Sequence, residues 1–433
     1  MKSLHLTNQF HQTSGGISTF YRSLFTVAGE TGHRLVLVAS GEQDQTEQIN
    51  DYVTIHYLAA PAAPFFDRRY RVIWPGSYLN PFGASGRRLR KLLCAEQPDL
   101  IEIGEKYTLC WLAGMIRKGM IPGTGRPVLI GTSHERMDDN VRVFLTPRAV
   151  GRRMSQRYLG HLYIPLFDHH LANSRYTAAE LEQAMVDHHQ RPVEVIPMGA
   201  DIERYHQIQP SVEWRNELVS RIGGGVSTRL LLYVGRLSPE KNVGLLVDLM
   251  EKLRRSADTD YRLLIAGSGP LEEWLRREAR QRAPGLIHLL GQIRQGVDKS
   301  DLAQLYVNCD AFIHPNPREP FGIAPLEAMA AGLPLVAPDQ GGVLTYANGN
   351  NAWLSAPDSE TYARAVLAIF DHPAERLERI RQARLTAESY QWGKIARLHL
   401  QRYREIRESF ALKHTVPGQV RSGTLPQSRG EMS

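Results

Sequence analysis

Cysteine is scarce in this chain of 433 residues: Cys94, Cys110 and Cys309 are too few and too scattered for a disulfide framework or a zinc cluster. That scarcity fits a reducing compartment and predicts a cytoplasmic protein. Long apolar runs are also missing. The opening MKSLHLTNQFHQTSGG has no apolar stretch suited to a signal peptide. No later window offers the roughly 18 uninterrupted apolar residues of a membrane span. His11, His33, His161, His169, His170 and His314 lack metal-ligand spacing, so no structural zinc is expected. No segment recurs at the period of a solenoid or propeller.

Acidic residues are absent where basic ones gather. The chain carries 52 Lys and Arg against 45 Asp and Glu, a net charge of +7. Between Pro61 and Lys91, Arg68, Arg69, Arg71, Arg87, Arg88, Arg90 and Lys91 face only Asp67. Arg142, Arg148, Arg152, Arg153 and Arg157 form a second, acid-free run. Residues 65–91 interleave Phe65, Phe66, Tyr70, Trp74 and Phe82 with the arginines, which suits an anionic bilayer surface. The same mixture equally suits a basic, aromatic cleft wall. No nucleic-acid-binding module is present, and no nucleic-acid partner is expected.

What remains is ordinary globular material, 42% hydrophobic and 22% charged, long enough for two domains of roughly 200 residues. LHLT, RLVLVA, VTIHYL, DLIEI, PVLIGT, HHLANS and VEVIP predict strands alternating with helices in the first half. TAAE predicts a capping box in which Thr177 starts a helix and Glu180 reaches back. RLLLYV, RLLIAG, LIHLLG, AFIHP and LPLVAP repeat the rhythm in the second half. The fold class is α/β, with two Rossmann-like domains facing across a cleft. The expected division is residues 1–200, a linker at 201–225, a second domain at 226–390, a C-terminal helix at 391–412 and a disordered tail at 413–433. Open parallel sheets bind ligands at the carboxyl ends of their strands, so chemistry is sought in that cleft.

Gly15 and Gly16 lie between the first strand and a helical pattern, either as a tight turn or as amides approaching an anion. Arg236 and Lys241, in GRLSPEKN, follow a strand and suit a diphosphate, the first as a rigid fork and the second as a mobile point charge. Solvated loop cations are the alternative. Glu319 and Glu327 bracket PFGIAPL. Pro325 suits the first turn of a helix, so amides from Phe321 through Gly322 to Ile323 lead into its positive end. Glu327 is placed to accept ribose hydroxyls and Glu319 the hydroxyls of a sugar on the far phosphate, unless either merely caps or salt-bridges locally. His134 follows PVLIGTS at the same edge, either donating to a sugar oxygen or bonded to nearby backbone.

Taken together, GG at 15–16, NSRYT at 173–177, IPMGAD at 196–201, GRLSPEKN at 235–242, AGSGP at 266–270 and REPFGIAPLEAMAAGLPLVA at 318–337 resemble glycosyltransferase family four. The resemblance implies a GT-B fold, a nucleotide-diphosphate sugar donor linked to GDP or UDP, retention of anomeric configuration, and no cofactor or metal. It implies that Gly16 and Gly267 approach the donor, that His134 lies near the donor sugar, and that Arg236 and Lys241 clamp the diphosphate. Glu319 would hold the transferred sugar and Glu327 the ribose, with a glycan or lipid-linked acceptor bound to the first domain. A cytoplasmic enzyme, peripheral on the inner membrane face through residues 65–91, would fit. Many relatives carry Pro-Glu after the pair corresponding to Gly341 and Gly342, where this chain reads VLTYANGN; phosphate binding by the Gly-Gly amides is expected to survive that change. A sugar-nucleotide epimerase of the same architecture and a non-catalytic nucleotide-sugar-binding protein are the alternative readings.

Overall fold

The computed structural model describes residues 1–10, 15–62, 71–80, 83–144, 148–186, 191–256, 258–293 and 299–414. The first half builds one sheet from β1 (Lys2–Thr7), β2 (Arg34–Gly41), β3 (Gln45–Asn50), β4 (Val53–Ala59), β5 (Leu100–Ile103), β6 (Val128–Ser133), β7 (His169–Ala172) and β8 (Val193–Val195). Their order is β3-β4-β2-β1-β5-β6-β7-β8, parallel except for the β3–β4 pair. The second sheet comprises β9 (Arg229–Val234), β10 (Tyr261–Ala266), β11 (Ile287–Gly291), β12 (Ala311–Ile313), β13 (Leu335–Pro338) and β14 (Trp353–Ser355), ordered β11-β10-β9-β12-β13-β14 and parallel throughout. Helices cover both faces of each sheet, which is why runs such as LVLVA and LLLY are apolar without alternation. The strand order reverses beside β1 and beside β9, and the crevices at these reversals open at the carboxyl ends of the strands.

Two strands escape the hydrophobic pattern. QTEQIN of β3 is largely exposed and polar, and is a strand because it pairs antiparallel with β4 at the sheet edge. WLS of β14 is three residues long and is fixed by β13.

The helix Arg175–Ala184 corrects the expected cap. Ser174 is its N-cap, accepting from the Thr177 amide at 3.1 Å, while the Thr177 hydroxyl accepts from the Ser174 amide at 3.2 Å. Glu180 does not reach back. It is buried, and its carboxylate takes the equally buried Lys106 ammonium at 2.6 Å. An ammonium removed from water needs such a counter-charge, and this requirement outweighs capping.

Residues 201–225 are folded, not an open linker. They hold the helices Ile202–His206 and Val212–Arg221, whose Tyr205 and Val219 join a core with Leu230, Leu302 and Tyr306. At the other end, Pro373–Ser389 is followed by the helix Trp392–His414, which packs along the helix Gly16–Thr31 of the first lobe and touches β6. Lys413 and His414 therefore continue that helix, and the rest of the expected tail, 415–433, lies outside the described residues. The chain crosses between lobes twice at adjacent points. Ala200 pairs with Gln391, donating to the Tyr390 carbonyl at 2.8 Å and accepting from the Trp392 amide at 3.3 Å.

Candidate active site

A cleft of about 1500 Å³ separates the two sheets, and all ten residues singled out from the sequence line it. In the second lobe, the loop after β9 and the loop after β10 lie backbone against backbone. Leu237 donates to the Ser268 carbonyl at 3.0 Å, and the Leu271 amide donates to the Leu237 carbonyl at 2.9 Å. A β-carbon on Gly267, whose φ is +152°, would lie 1.9 Å from the Gly235 carbonyl oxygen, so no side chain fits. The Gly267 amide is itself bonded to the Gly291 carbonyl at 2.8 Å. Gly267 thus gives the cleft its close-packed floor, and its N–H is already engaged. Arg236 projects from this loop, exposed, at the cleft wall.

Lys241 and Glu319 meet directly. The Lys241 Nζ donates to both carboxylate oxygens at 2.8 Å, and the Asn316 amide adds a third bond at 2.8 Å. Burial alone would raise the Glu319 pKa, but the Lys241 and His314 charges and the bonds from Lys241 and Asn316 prevail and hold it at about 2. The site therefore presents an ionised carboxylate beside an ammonium with one proton left to offer.

The helix Ile323–Ala331 begins at Gly322, whose φ of +89° favours glycine and whose carbonyl accepts from the Tyr346 hydroxyl. Pro325 sits in the first turn, where its missing N–H is tolerated. Phe321 is buried against Tyr346 and Tyr390, which fixes the loop between Glu319 and the helix. Glu327, one turn inside, accepts from the Tyr306 hydroxyl at 3.1 Å. Its burial outweighs the Tyr306 bond and the nearby Arg204 charge, raising its pKa to about 7.

Gly342 corrects another expectation. The Gly342 amide donates to the Glu319 carbonyl at 2.7 Å, and a β-carbon on Gly342 would lie 2.0 Å from the Pro320 carbonyl oxygen. Gly342 sits beneath the Glu319 loop as its support, and its amide is not available to a phosphate.

From the first lobe, the helix Gly16–Thr31 points its N-terminus into the same space. A β-carbon on Gly16 would lie 2.7 Å from Ile323 Cδ1, so the starts of two helices, one per lobe, face each other at van der Waals contact. Both positive helix ends thus border the same cleft, a setting that favours negative charge. His134 is buried, and its ring nitrogens have no hydrogen-bond partner among the described residues. Burial and the Lys106 charge lower its pKa to about 4, so the imidazole is neutral. Beyond it, Asp139 Oδ1 comes within 3.7 Å of the Arg318 Nε of the other lobe.

Several cleft residues were not anticipated. Asn316 and Arg204 are such cases: nothing in a single Asn or in an Arg within a polar stretch signals a site, and tertiary contact alone brings them beside Glu319 and Glu327. Of the basic stretch 65–91, Arg71 reaches the cleft, where it pairs with Glu42 at 2.7 Å. Arg88 pairs with Asp44 at 2.7 Å, while Arg87 and Lys91 are exposed on the helix Ala84–Glu96. Residues 65–70 and Phe82 lie outside the described residues.

Comparison with known proteins identifies the fold and the family. The family described as "Glycosyltransferase Family 4" matches residues 14–204, and that described as "Glycosyl transferases group 1" matches residues 221–386. A GDP-mannose-dependent alpha-(1-6)-phosphatidylinositol dimannoside mannosyltransferase of Mycobacterium tuberculosis is 26% identical over 397 residues, 92% of this chain and 94% of that protein. The alpha-monoglucosyldiacylglycerol synthase of Streptococcus pneumoniae is 24% identical over 342 residues, 76% of this chain and 69% of its own. Among solved structures, sucrose-phosphate synthase from Thermosynechococcus elongatus superposes with a TM-score of 0.70 at 19% identity, covering 94% of this chain and all of its own. The fold is GT-B.

Proposed function

The chain belongs to glycosyltransferase family four, and on that premise we propose that it moves a hexosyl unit from a nucleotide-diphosphate sugar to a glycan or lipid-linked acceptor, with retention and without a metal ion. GDP-mannose is our preferred donor and a glycolipid our preferred acceptor, because the mannosyltransferase and the alpha-monoglucosyldiacylglycerol synthase named above span most of the chain. The first lobe takes the acceptor and the second the donor. One observation carries the reading: Arg236, the Lys241–Glu319 pair and two helix starts, one from each lobe, line the same cleft.

The chemistry follows from charge. As the bond between anomeric carbon and phosphate breaks, negative charge accumulates on the departing diphosphate. Preorganised donors stabilise such charge more than they stabilise the ground state. Arg236, the remaining Lys241 proton and the amides at Gly16 and Ile323 supply that stabilisation. Glu319, held ionised, accepts hydroxyls of the transferred sugar, and Glu327 accepts the ribose hydroxyls. The neutral His134 faces the sugar from the first lobe. The acceptor oxygen attacks from the face the diphosphate leaves and passes its proton to a phosphate oxygen.

A panel of nucleotide sugars tests this, read by thermal stabilisation and slow donor hydrolysis. A donor at about 100 times its Kd stabilises by about 2.7 kcal/mol. GDP-mannose is expected to stabilise the protein and to be hydrolysed; a different nucleotide sugar doing so would overturn the donor assignment. Binding without turnover across a broad acceptor panel would overturn the enzymatic reading.

A further inference from the structure

The segment that follows His134 is tied to its own lobe residue by residue. Asn173 Nδ2 donates to the His134 carbonyl at 3.1 Å, and the buried Lys106 ammonium donates to the Glu135 carbonyl. Arg136 uses all three guanidinium nitrogens within the lobe: Nε and Nη2 grip Asp138 at 2.9 and 2.7 Å, and Nη1 donates to the Tyr176 carbonyl at 3.0 Å. The Asp138 amide donates to the Glu180 carboxylate at 2.9 Å, and the Tyr176 hydroxyl donates to Asp139 Oδ2 at 2.5 Å. A network in which each donor meets a backbone carbonyl or a paired charge leaves the segment little freedom to shift against its own lobe.

Asp139, in the first turn of the helix Met137–Phe144, also reaches outward. Its second oxygen, Oδ1, lies 3.7 Å from Arg318 Nε of the other lobe, and only 22% and 25% of the two side chains is exposed, so solvent screens the pair weakly. Arg136 comes within 3.9 Å of Asp139, but its hydrogen bonds go to Asp138 and Tyr176; Arg318 adds a counter-charge from across the cleft. Arg318 in turn is coupled to its neighbour Glu319 through one buried side chain. Asn316 Oδ1 accepts from the Arg318 amide at 3.0 Å while Asn316 Nδ2 donates to the Glu319 carboxylate at 2.8 Å. Neither Asp139 nor Arg318 is among the described residues that line the cleft, so each acts there only through its neighbours.

We propose that Asp139 and Arg318 are a positioning pair that clasps the two lobes at the separation where His134 and Glu319 face the same sugar. His134 is fixed relative to Asp139 by the first-lobe bonds, and Glu319 relative to Arg318 by Asn316, so parting the pair parts the two sugar-facing groups. A donor held by its diphosphate and ribose stays on the second lobe meanwhile. Loss of the clasp therefore costs alignment at the reacting centre more than affinity for the donor. The clasp stands on these contacts; its effect on turnover rests on the glycosyltransferase reading.

Asp139→Asn and Arg318→Gln each remove one charge and keep a polar side chain of similar size, and the full chain carrying them tests the proposal in two ways. Solution X-ray scattering reads the clasp without reference to turnover: the radius of gyration is expected to rise in both single variants and no further in the double variant. Arg318→Lys should match the wild type, because a charge contact at 3.7 Å does not need the bidentate fork. An unchanged radius in both single variants overturns the clasp, whatever their turnover. In kinetics, kcat for donor hydrolysis is expected to fall by about fivefold to tenfold in each single variant, with donor KM changed by less than about twofold. The double variant should lose no more than either single variant, as residues in direct contact do, and Arg318→Lys should keep at least about half of the wild-type kcat. A larger radius with kcat unchanged, additive losses, or a loss confined to KM overturns the positioning role. Should the wild type hydrolyse no nucleotide sugar at all, the functional reading fails, and the scattering still decides whether the pair holds the lobes.

Discussion

Gly16 and Ile323 begin helices in different lobes, and the Ile323 side chain rests against Gly16. A β-carbon at 16 would come to 2.7 Å from Ile323 Cδ1. This contact sets how near the two positive helix ends approach one another.

Gly16→Ala is therefore expected to leave the fold intact, because the obstructing atom is the tip of a side chain, while holding the helix ends apart. Misplacement on the order of 1 Å at a reacting centre costs up to about 100-fold. Donor hydrolysis should fall by about tenfold or more in the variant. Ile323→Val removes the obstructing methyl and should restore much of the loss in the double variant. Additive losses in a double-mutant cycle would show that the contact does not control the site.

Lys241→Ala and Glu319→Ala should each lower turnover by at least about tenfold. They should differ in stability. Removing Lys241 strands a largely buried carboxylate, whereas removing Glu319 frees a lysine that reaches solvent. Chemical denaturation is expected to rank Lys241→Ala below Glu319→Ala, and the double variant should recover stability without recovering activity. Wild-type turnover in either single variant would contradict the assigned roles.

The two glutamates carry opposite pH signatures. Glu327 has its folded pKa raised to about 7. The folded state then binds more protons than the unfolded chain between about pH 4.5 and 7, so its contribution to stability falls as pH rises through that window. Glu319, lowered to about 2, contributes stability that is present above about pH 4.5 and lost as pH falls toward 2. Urea titrations at pH 5 and pH 7 should show Glu327→Gln relatively more stable at the higher pH, by roughly 1–3 kcal/mol compared with wild type. An unchanged pH dependence would place the Glu327 carboxyl in solvent.

A lipid-linked acceptor requires access to a bilayer. Trp74 and Leu79 are exposed, and Arg87 and Lys91 on the following helix face solvent. Sedimentation with anionic vesicles is expected to exceed that with neutral vesicles, to weaken with salt, and to drop in Arg87→Glu/Lys91→Glu, since each basic residue near an anionic surface contributes about 1 kcal/mol. Equal sedimentation with both vesicle types would assign the basic stretch to the cleft wall alone.

The strands of both lobes were legible wherever both sheet faces are covered, because burial imposes unbroken apolar runs such as RLLLYV. β3 was not, since an edge strand held by one neighbour needs no apolar residue. Candidate cleft positions were legible because Gly267 and Gly322 mark places where backbone must approach backbone or adopt positive φ, and such demands survive in sequence as glycine. Partnerships were not. Nothing in TAAE reveals that Glu180 turns inward to Lys106, or in GGVL that the Gly342 amide is occupied by the Glu319 carbonyl. Those bonds join residues 74 and 23 positions apart, respectively, and local pattern carries no information about distant partners.

The adjacent crossings at Ala200 and Gln391 constrain how the enzyme can breathe. Two strands tied side by side bend readily about an axis perpendicular to both, yet they resist swivelling, because a swivel would shear the bonds from Ala200 to Tyr390 and Trp392. A rocking of one lobe on the other, by contrast, would leave both bonds intact and keep the helix starts in register.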